Sequence, residues 1–232
     1  MLIDNVNIKE IDAVLMEKNI QPSSIELDGE YAWLKNSLLP FFPKQDFKFI
    51  SIEVKLYIKG KDESDVKSKI GTLINKSKDC ILKFDDDFYY QSFLINCNTE
   101  NTLKKESKKI SLSFIAYSYK EEVTETMNRI TNKTINVAGN LETPAILEII
   151  PSIDLIDLTL TGLAEDPIIL KNLKANKKLI VNGEDSTVTV DGVNKFSDTD
   201  MWGFPKLSPG ANTITTDKSS VDITIKYKPR YI

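Results

Sequence analysis

The feature that most constrains the fold is an uninterrupted alternation in residues 48–58, KFISIEVKLYI. Aliphatic residues occupy positions 50, 52, 54, 56 and 58, and the positions between them hold Ser, Glu, Lys and Tyr. A β-strand places alternate residues on opposite faces, so this period of two indicates a strand with one face on an apolar core. The chain must therefore build a sheet and cover one of its faces.

One amphipathic helix is predicted directly after this strand, over KDESDVKSKIGTLINKSKD at residues 61–79. Acids cluster in its first turn and lysines near its end, an order that complements the helix dipole. Its apolar residues recur at helical spacing and are Val66, Ile70, Leu73 and Ile74. Such a helix has a single apolar face with which to cover the sheet.

A hairpin and a further strand complete the first predicted domain. CILKF at 80–84 and YYQSFLINC at 89–97 flank three aspartates, and KKISLSFIAYSY at 108–119 alternates as the first strand does. The order strand, helix, hairpin, strand predicts an α+β domain over residues 1–120, with one helix packed on antiparallel strands.

The second half of the chain lacks the helical signal. Residues 121–135 are polar and rich in charge, without a sustained apolar face, which predicts a linker. Beyond them, short runs such as PAILEII, LIDLTLTG and VDITIKY are separated by Gly, Asn, Pro and Asp. This pattern predicts a β-sandwich over residues 136–232 that is stable alone as a monomer. The expected fold class is therefore mostly β.

The absence of histidine among the 232 residues limits the available chemistry. It removes the usual general base at neutral pH and the commonest zinc ligand. The net charge is −4, and only Arg129 and Arg230 are arginines, which argues against a surface that grips nucleic acid. The chain has neither a membrane-length apolar run nor the pattern of a secretory signal. We expect no catalytic residue, metal, cofactor or membrane association.

Two groups of reactive side chains have simple interpretations. Asp85, Asp86 and Asp87 lie at the predicted hairpin turn and point in different directions, whereas a cation site needs converging oxygens. A hydrolase that uses these carboxylates is disfavoured by the missing histidine. If the hairpin turns near Asp86, Cys80 lies opposite about position 92 and not opposite Cys97. Both thiols are therefore expected to be free, reduced and inert.

Residues 23–47 interrupt the strand pattern with an apolar stretch that lies between Gly29 and two prolines. Its candidate contact residues are Trp33, Leu38, Leu39, Phe41 and Phe42. Such a stretch either folds over its own core or covers a neighbouring subunit. We predict a subunit interface, because these side chains exceed what one helix and a small sheet can cover.

The sequence DMWGFPKLSPGAN, residues 200–212, concentrates aromatic residues, Pro and Gly near the end of the chain. The run SPGA at 208–211 fits a type II turn, in which Pro209 fixes φ at the second position and Gly210 supplies a positive φ at the third. This turn predicts a rigid corner at which one strand ends and another begins.

Aromatic residues precede this corner and allow two interpretations. Pro205 stops regular strand pairing, so Trp202 and Phe204 are predicted to pack inward over one end of the sandwich. The alternative is a carbohydrate site with Trp202 as a stacking platform. The structural interpretation is favoured.

Taken together, these segments resemble a known family. The predicted strand and helix, followed by ILKFDDDFYYQSFLI, ISLSFIAYSY, INVAGNLETPAILEI, MWGFPKLSPGANTI and VDITIKYKPRYI, are similar to the distal tail proteins of long-tailed, siphovirus-type phages of Gram-positive bacteria. The resemblance extends from about residue 48 to the C-terminus. Residues 20–47 depart from it, since they show only LDGEYAW where the family usually has an aromatic-Gly hairpin and a basic Pro-Gly-Arg-Asp-Gly loop.

The resemblance implies a structural virion component that is not an enzyme. Family members form a hexameric ring that joins the tail tube to the baseplate or tail tip. The N-terminal domain builds this ring, and the C-terminal domain is a galectin-like β-sandwich. The implied partners are further copies of the chain, a tail-tube protein and a tail-tip hub protein, with DNA as cargo in the channel. The implied location is the virion tail tip, after synthesis in the host bacterial cytoplasm.

A carbohydrate-binding module for adhesion to the host cell wall is the alternative function. Galectin-type sugar sites place a His, Asn and Arg cluster beside their Trp, whereas the predicted sandwich has no His and only Arg230. The sequence leaves open whether the source is an infectious phage, a prophage or a tail-like bacteriocin.

Overall fold

The computed structural model describes residues 1–27, 29–43, 45–47 and 49–232, which form two compact units. The first unit comprises Met1–Ser118 together with Ile232, and the second comprises Tyr119–Tyr231. Antiparallel strands dominate both units, so the prediction of a mostly β fold is confirmed.

The first unit contains short N-terminal strands, one α-helix among its described residues, and a set of longer strands. A 3-10 helix spans Ile8–Ile11, and the α-helix α1 spans Glu63–Lys76. The strands are β1 (Leu2–Ile3), β2 (Val6–Asn7), β3 (Ala13–Gln21), β4 (Ile25–Leu27), β5 (Gln45–Phe47), β6 (Ile50–Lys59), β7 (Asp79–Lys83), β8 (Tyr89–Asn101) and β9 (Ser107–Tyr119). The predicted order from β6 to β9 is observed, whereas β1 to β3 were not predicted.

The main sheet of the first unit has the order β2-β1-β7-β8-β9-β6-β3. The alternation in β6 places Ile52, Val54 and Leu56 on the buried face, where each is fully inaccessible to solvent. Helix α1 contributes Val66 and Leu73 to the same core cluster. The helix begins where the Asp62 carboxylate accepts a hydrogen bond from the Asp65 backbone N–H at 2.8 Å. Strand β6, with its period of two, and helix α1, with its period of 3.6, therefore bury their apolar faces in the same core.

The second unit is a β-sandwich. Its strands are β10 (Val123–Asn128), β11 (Asn132–Val137), β12 (Thr143–Pro151), β13 (Leu155–Thr161), β14 (Ile168–Leu173), β15 (Leu179–Asn182), β16 (Thr187–Val190), β17 (Val193–Asn194), β18 (Thr199–Asp200), β19 (Lys206–Leu207), β20 (Gly210–Thr216), β21 (Val221–Tyr227) and β22 (Arg230–Tyr231). A 3-10 helix spans Phe196–Asp198. One sheet has the order β10-β21-β12-β15-β16-β17 and the other has the order β11-β20-β13-β14-β18.

A single core lies between these two sheets. Leu147 and Ile223 from one sheet and Leu158 and Ile214 from the other are fully buried members of one cluster. Because each sheet covers the apolar face of the other, the second unit closes its core with its own residues.

The predicted linker over residues 121–135 is wrong, because most of this interval forms strands β10 and β11. Strand β10 pairs with β21 along its whole length, and β11 pairs with β20. Met127 and Ile135 are buried in the core. Both strands lie at sheet edges and show many polar residues to solvent, so the apolar positions are too sparse to reveal a period of two.

Candidate functional site

The predicted interface residues lie on a hairpin-like arm that stands apart from the main sheet of the first unit. Strands β4 and β5 pair with each other and form a two-stranded sheet. Farther along, Ala32 N–H donates to the Phe41 carbonyl at 3.2 Å, and Phe41 N–H donates to the Ala32 carbonyl at 2.9 Å. We refer to residues 25–27, 29–43 and 45–47 as the arm.

The tip of the arm is held by local polar contacts. Trp33 Nε1–H donates to the Ser37 carbonyl at 3.0 Å, and the Ser37 hydroxyl donates to the Leu39 carbonyl at 2.6 Å. Asn36 adopts a left-handed φ of 73°, a conformation that asparagine tolerates better than most residues. The arm is therefore shaped by its own backbone and polar side chains.

The apolar side chains of the arm are exposed to solvent. The exposed fractions are 68% for Trp33, 94% for Leu38, 76% for Leu39, 60% for Phe41 and 67% for Phe42. The alternative in which this stretch folds over its own core is therefore not what the structure shows. Large exposed apolar patches mark interaction sites in soluble proteins, and these five side chains lie within one short segment.

The sequence reasoning missed apolar residues at the base of the arm. Ile25, Phe47 and Phe49 are also about half exposed or more, and Ile25 lies opposite Phe47 in the β4–β5 pair. Their position next to the apolar stretch was the signal that could have identified them.

The corner near residue 210 is organised by a glycine and an asparagine. Gly210 begins β20 with a φ of 92°, the positive value that the predicted turn requires. The Asn212 side chain closes the loop, because its Oδ1 accepts from Ser208 N–H at 3.0 Å and its Nδ2 donates to the Ser208 carbonyl at 2.7 Å. Asn212 was not singled out in the sequence, although Asn is a common turn residue.

The predicted inward packing of Trp202 is wrong, since its side chain is 91% exposed. Phe204 does pack against the core, and its ring stacks on Phe196 with centroids 6.0 Å apart. Pro205 is buried, and its carbonyl accepts a hydrogen bond from Ala145 N–H at 2.9 Å. The hydrogen bond fixes Pro205 to the sandwich. Its neighbour Phe204 packs against the core, whereas Trp202 is exposed to solvent.

The three aspartates form a hairpin turn, as predicted. Asp86 accepts a hydrogen bond from Phe88 N–H at 3.2 Å and another from the Tyr90 hydroxyl at 3.3 Å. Burial, with a further contribution from Asp86, raises the pKa of Tyr90 to about 12. Among the described residues, no group of three or more His, Cys, Asp or Glu side chains could hold a metal ion.

The two cysteines are free, as predicted. Cys80 lies opposite Ser92 in the β7–β8 hairpin, which matches the register expected from the turn. Burial raises the pKa of Cys80 to about 12 and also raises the pKa of the half-buried Cys97. At neutral pH both thiols are protonated and therefore poor nucleophiles.

These features are an exposed apolar arm on one unit and a closed β-sandwich as the other. Residues 138–231 match a family model described as the siphovirus-type tail component, C-terminal domain. The resemblance to phage tail proteins is thereby confirmed for this region. No match was found among curated proteins.

The whole fold is shared with solved phage proteins. The structure of Dit (gp 19.1) of phage SPP1, described as a paradigm of the hub adsorption apparatus in phages that infect Gram-positive bacteria, matches with a TM-score of 0.79 at 12% identity, covering 100% of this chain and 98% of that one. The phage P2 baseplate in its activated conformation with Ca matches with a TM-score of 0.59 at 13% identity over 97% and 94% of the two chains. The same baseplate with Sr gives 0.58 at 12% identity over the same shares.

The family match and the shared fold support a phage tail or baseplate component. No helix in the described residues is long and apolar enough to cross a membrane.

Proposed function

We propose that this chain is a distal tail protein whose copies close into a hexameric ring. The ring joins the phage tail tube to the baseplate or tail tip, leaves a central channel for DNA, and carries out no chemistry. The family match of residues 138–231 and the fold shared with SPP1 Dit over the whole chain support this proposal. The observation that most directly supports ring formation is the exposed apolar arm.

The arm offers enough apolar surface to drive association. Full burial of one large apolar side chain contributes about 1.5–3 kcal/mol, and each of the five predicted contact residues of the arm is more than half exposed. Association costs roughly 4–15 kcal/mol in lost freedom, so several such anchors are needed. In a head-to-tail ring every subunit offers its arm to one neighbour and receives the arm of the other.

The remaining partners follow from the position of a distal tail protein. A tail-tube protein would contact one side of the ring, and a tail-tip hub protein would contact the other. DNA passes through as cargo, and a net charge of −4 with only two arginines keeps the ring from gripping it. The chain would be made in the host bacterial cytoplasm and end at the virion tail tip.

The test of the ring is the double substitution Trp33→Ala with Phe41→Ala. We expect the wild-type chain to form a ring alone or with its tail-tube partner, and the variant to have a lower oligomeric state by light scattering. Circular dichroism should show that the sandwich stays folded. Negative-stain images of the wild-type protein would show the ring directly.

A matched control is Trp202→Ala with Ile156→Ala, which removes two side chains of the second unit that are 91% and 86% exposed. This control should leave the ring intact. A wild-type chain that stays monomeric at high concentration, both alone and with the tube partner, would contradict the proposal. An arm variant that simply unfolds would place the interface elsewhere on the first unit.

Carbohydrate binding at the host cell wall is a second candidate, and the exposure of Trp202 favours it. An aromatic ring that faces solvent beside the anchored Pro205 can stack on a sugar. The chain has two tryptophans, so Trp33→Phe leaves Trp202 as the single reporter while keeping an aromatic arm. Its fluorescence should respond to cell-wall glycans. An unchanged spectrum at saturating glycan would refute this candidate.

A further inference from the structure

A pocket of about 420 Å³ lies in the second unit and is lined by residues from strands of both of its sheets. Its walls come from the end of β14, the turn into β15, the end of β16 and the segment around the 3-10 helix Phe196–Asp198. Small-molecule sites typically have volumes of roughly 300–1,000 Å³. We refer to it as the lysine pocket.

The lysine pocket combines an apolar floor with a cationic rim. Leu173 and Leu179 are buried core residues, and Val190 packs against the same core. The rim carries one carboxylate, from Asp198, and four ammonium groups, from Lys171, Lys174, Lys177 and Lys195. Cationic side chains therefore outnumber carboxylates in the lining itself, although each of these lysines is also paired with an aspartate.

Aspartates position two of the rim lysines and leave them able to contact a ligand. Lys177 pairs with Asp191 at 2.7 Å, and Lys174 pairs with Asp154 at 2.9 Å. Both pairs are well exposed, and exposed ion pairs contribute little to stability, so an incoming anion can share these ammonium groups at little cost.

The other two lysines have longer contacts. Lys171 lies 3.8 Å from Asp200, and Lys195 lies 3.5 Å from Asp198. Both distances exceed those of an ordinary charge-assisted hydrogen bond. Lys171 and Lys195 therefore retain donor capacity, and both line the pocket.

The backbone around the lysine pocket is fixed by hydrogen bonds. Asn172 adopts a φ of 57°, and its side-chain amide donates to Asp198 Oδ1 at 3.1 Å. Ala175 N–H donates to Asp154 Oδ1 at 2.8 Å, and Asn176 N–H donates to the Pro151 carbonyl at 2.8 Å. A pocket with its walls already ordered loses less entropy on binding.

We propose that the lysine pocket binds an organic phosphate with a short aliphatic body. Ammonium point charges suit a tetrahedral phosphate, whereas a planar carboxylate is best matched by the arginine fork that this rim lacks. The floor of Leu173, Leu179 and Val190 would take the aliphatic body out of water. The same chemistry occurs in free phosphomonoesters and in phosphodiester polymers. This inference does not depend on ring formation.

The direct test is isothermal titration calorimetry of the full chain with n-butyl phosphate. We expect saturable binding that weakens as sodium chloride is added. Inorganic phosphate, which lacks the body, should bind about tenfold more weakly, and butanol should not bind measurably. Methyl butyl phosphate, a diester, separates the two sources of ligand. If it binds at least as tightly as butyl phosphate, the natural ligand is a phosphodiester polymer. If it binds more weakly, the natural ligand is a free phosphomonoester.

Substitutions localise the site. Lys171→Gln with Lys195→Gln should lower the affinity for butyl phosphate by about tenfold or more. The matched control is Lys206→Gln with Lys228→Gln, which removes two lysines of similar exposure that pair with Glu142 and Glu184 outside the pocket. The control should bind as the wild type does. An equal loss in both variants, or no saturable binding by the wild type, would overturn the proposal.

Discussion

The two units of this chain solve the problem of covering apolar surface in different ways. In the second unit each sheet covers the other, and residues such as Leu147 and Leu158 are fully buried in one shared core. In the first unit helix α1 contributes to the core on one face of the sheet, while the arm leaves Leu38 and Leu39 94% and 76% exposed. The second unit covers its own core, whereas the first leaves large apolar side chains of the arm exposed.

The same difference separates the two aromatic-rich segments. The arm is held by contacts within itself, such as the bond from Trp33 Nε1–H to the Ser37 carbonyl. The segment around residue 205 is tied to the sandwich, because the Pro205 carbonyl accepts from Ala145 N–H and Lys206 N–H donates to the Leu163 carbonyl at 2.7 Å. Similar compositions therefore serve a projecting element in one unit and a closing element in the other.

The largest expected effect tests whether the second unit is complete only with β10 and β11. A fragment of residues 119–232 should fold, whereas a fragment of residues 136–232 should not, in contrast to what the sequence alone suggested. The shorter fragment loses the buried Met127 and Ile135 and an edge strand from each sheet. Loss of one such side chain costs about 2–5 kcal/mol, against a typical domain stability of about 5–15 kcal/mol.

Circular dichroism and thermal melting of both fragments decide this prediction. The longer fragment should melt cooperatively, and the shorter one should show no transition. Two equal, cooperative transitions would show that β10 and β11 are dispensable.

The next effect contrasts a glycine in each unit. Gly210→Val should destabilise the sandwich by about 1–3 kcal/mol, because its φ of 92° suits a β-branched residue poorly although the space beside it is open. Gly71, inside helix α1, also has open space but no positive φ. Gly71→Ala should therefore stabilise the first unit by about 0.5–1 kcal/mol. Denaturant unfolding measures both changes in the free energy of unfolding. An unchanged free energy in Gly210→Val would contradict the expected cost of a positive φ at this position.

A smaller effect concerns pH and the outer face of the sandwich. Glu148 accepts hydrogen bonds from Lys178 at 2.8 Å and from Lys226 at 2.6 Å, and these bonds lower its pKa below the ordinary value of 4.5. The stabilisation is present above pH 4.5 and is lost as pH falls through the lowered pKa. Glu148→Gln should therefore flatten the acid side of the stability profile of the second unit, by about 1 kcal/mol or less. An identical profile in wild type and variant would contradict the role of this network.

The smallest expected effect lies at the end of helix α1 in the first unit. The buried Ser77 hydroxyl has no hydrogen-bond partner within the described part of the chain. Ser77→Ala should leave stability unchanged or raise it by up to about 1 kcal/mol, since an unsatisfied buried hydroxyl carries a desolvation cost. Ser92 is the control: its buried hydroxyl donates to the Tyr90 carbonyl at 3.0 Å, so Ser92→Ala should destabilise by about 1 kcal/mol. Equal effects of the two substitutions would contradict this assignment.

Local patterns were sufficient for the centre of the first unit. The period of two in β6, the helical spacing in α1 and the aspartate turn before β8 each correspond to an observed element. The opposition of Cys80 and Ser92 followed from the position of that turn alone. Strands β1 to β3 escaped prediction, because two of them are very short and the third is an edge strand with mostly exposed residues.

For the candidate site, the composition of residues 23–47 identified the arm, but it did not decide whether the arm packs on its own core or is exposed. An apolar stretch broken by prolines was compatible with a cover over the chain's own core and with a surface for a neighbour. The lysine pocket was not predicted at all, since its residues come from strands of both sheets and from turns that are separate in the sequence. No local spacing joins Leu173, Val190 and Lys195.

By itself the sequence determined the strand at β6, the helix α1, the aspartate turn and the left-handed glycine at 210, because periodicity and backbone sterics act over a few residues. Only the tertiary structure decided that residues 123–128 and 132–137 complete the two sheets, and that Phe204 rather than Trp202 packs against the core. Those outcomes depend on which distant strand has an edge available for pairing and on which aromatic ring contacts the core. Both are set by contacts between residues far apart in the chain.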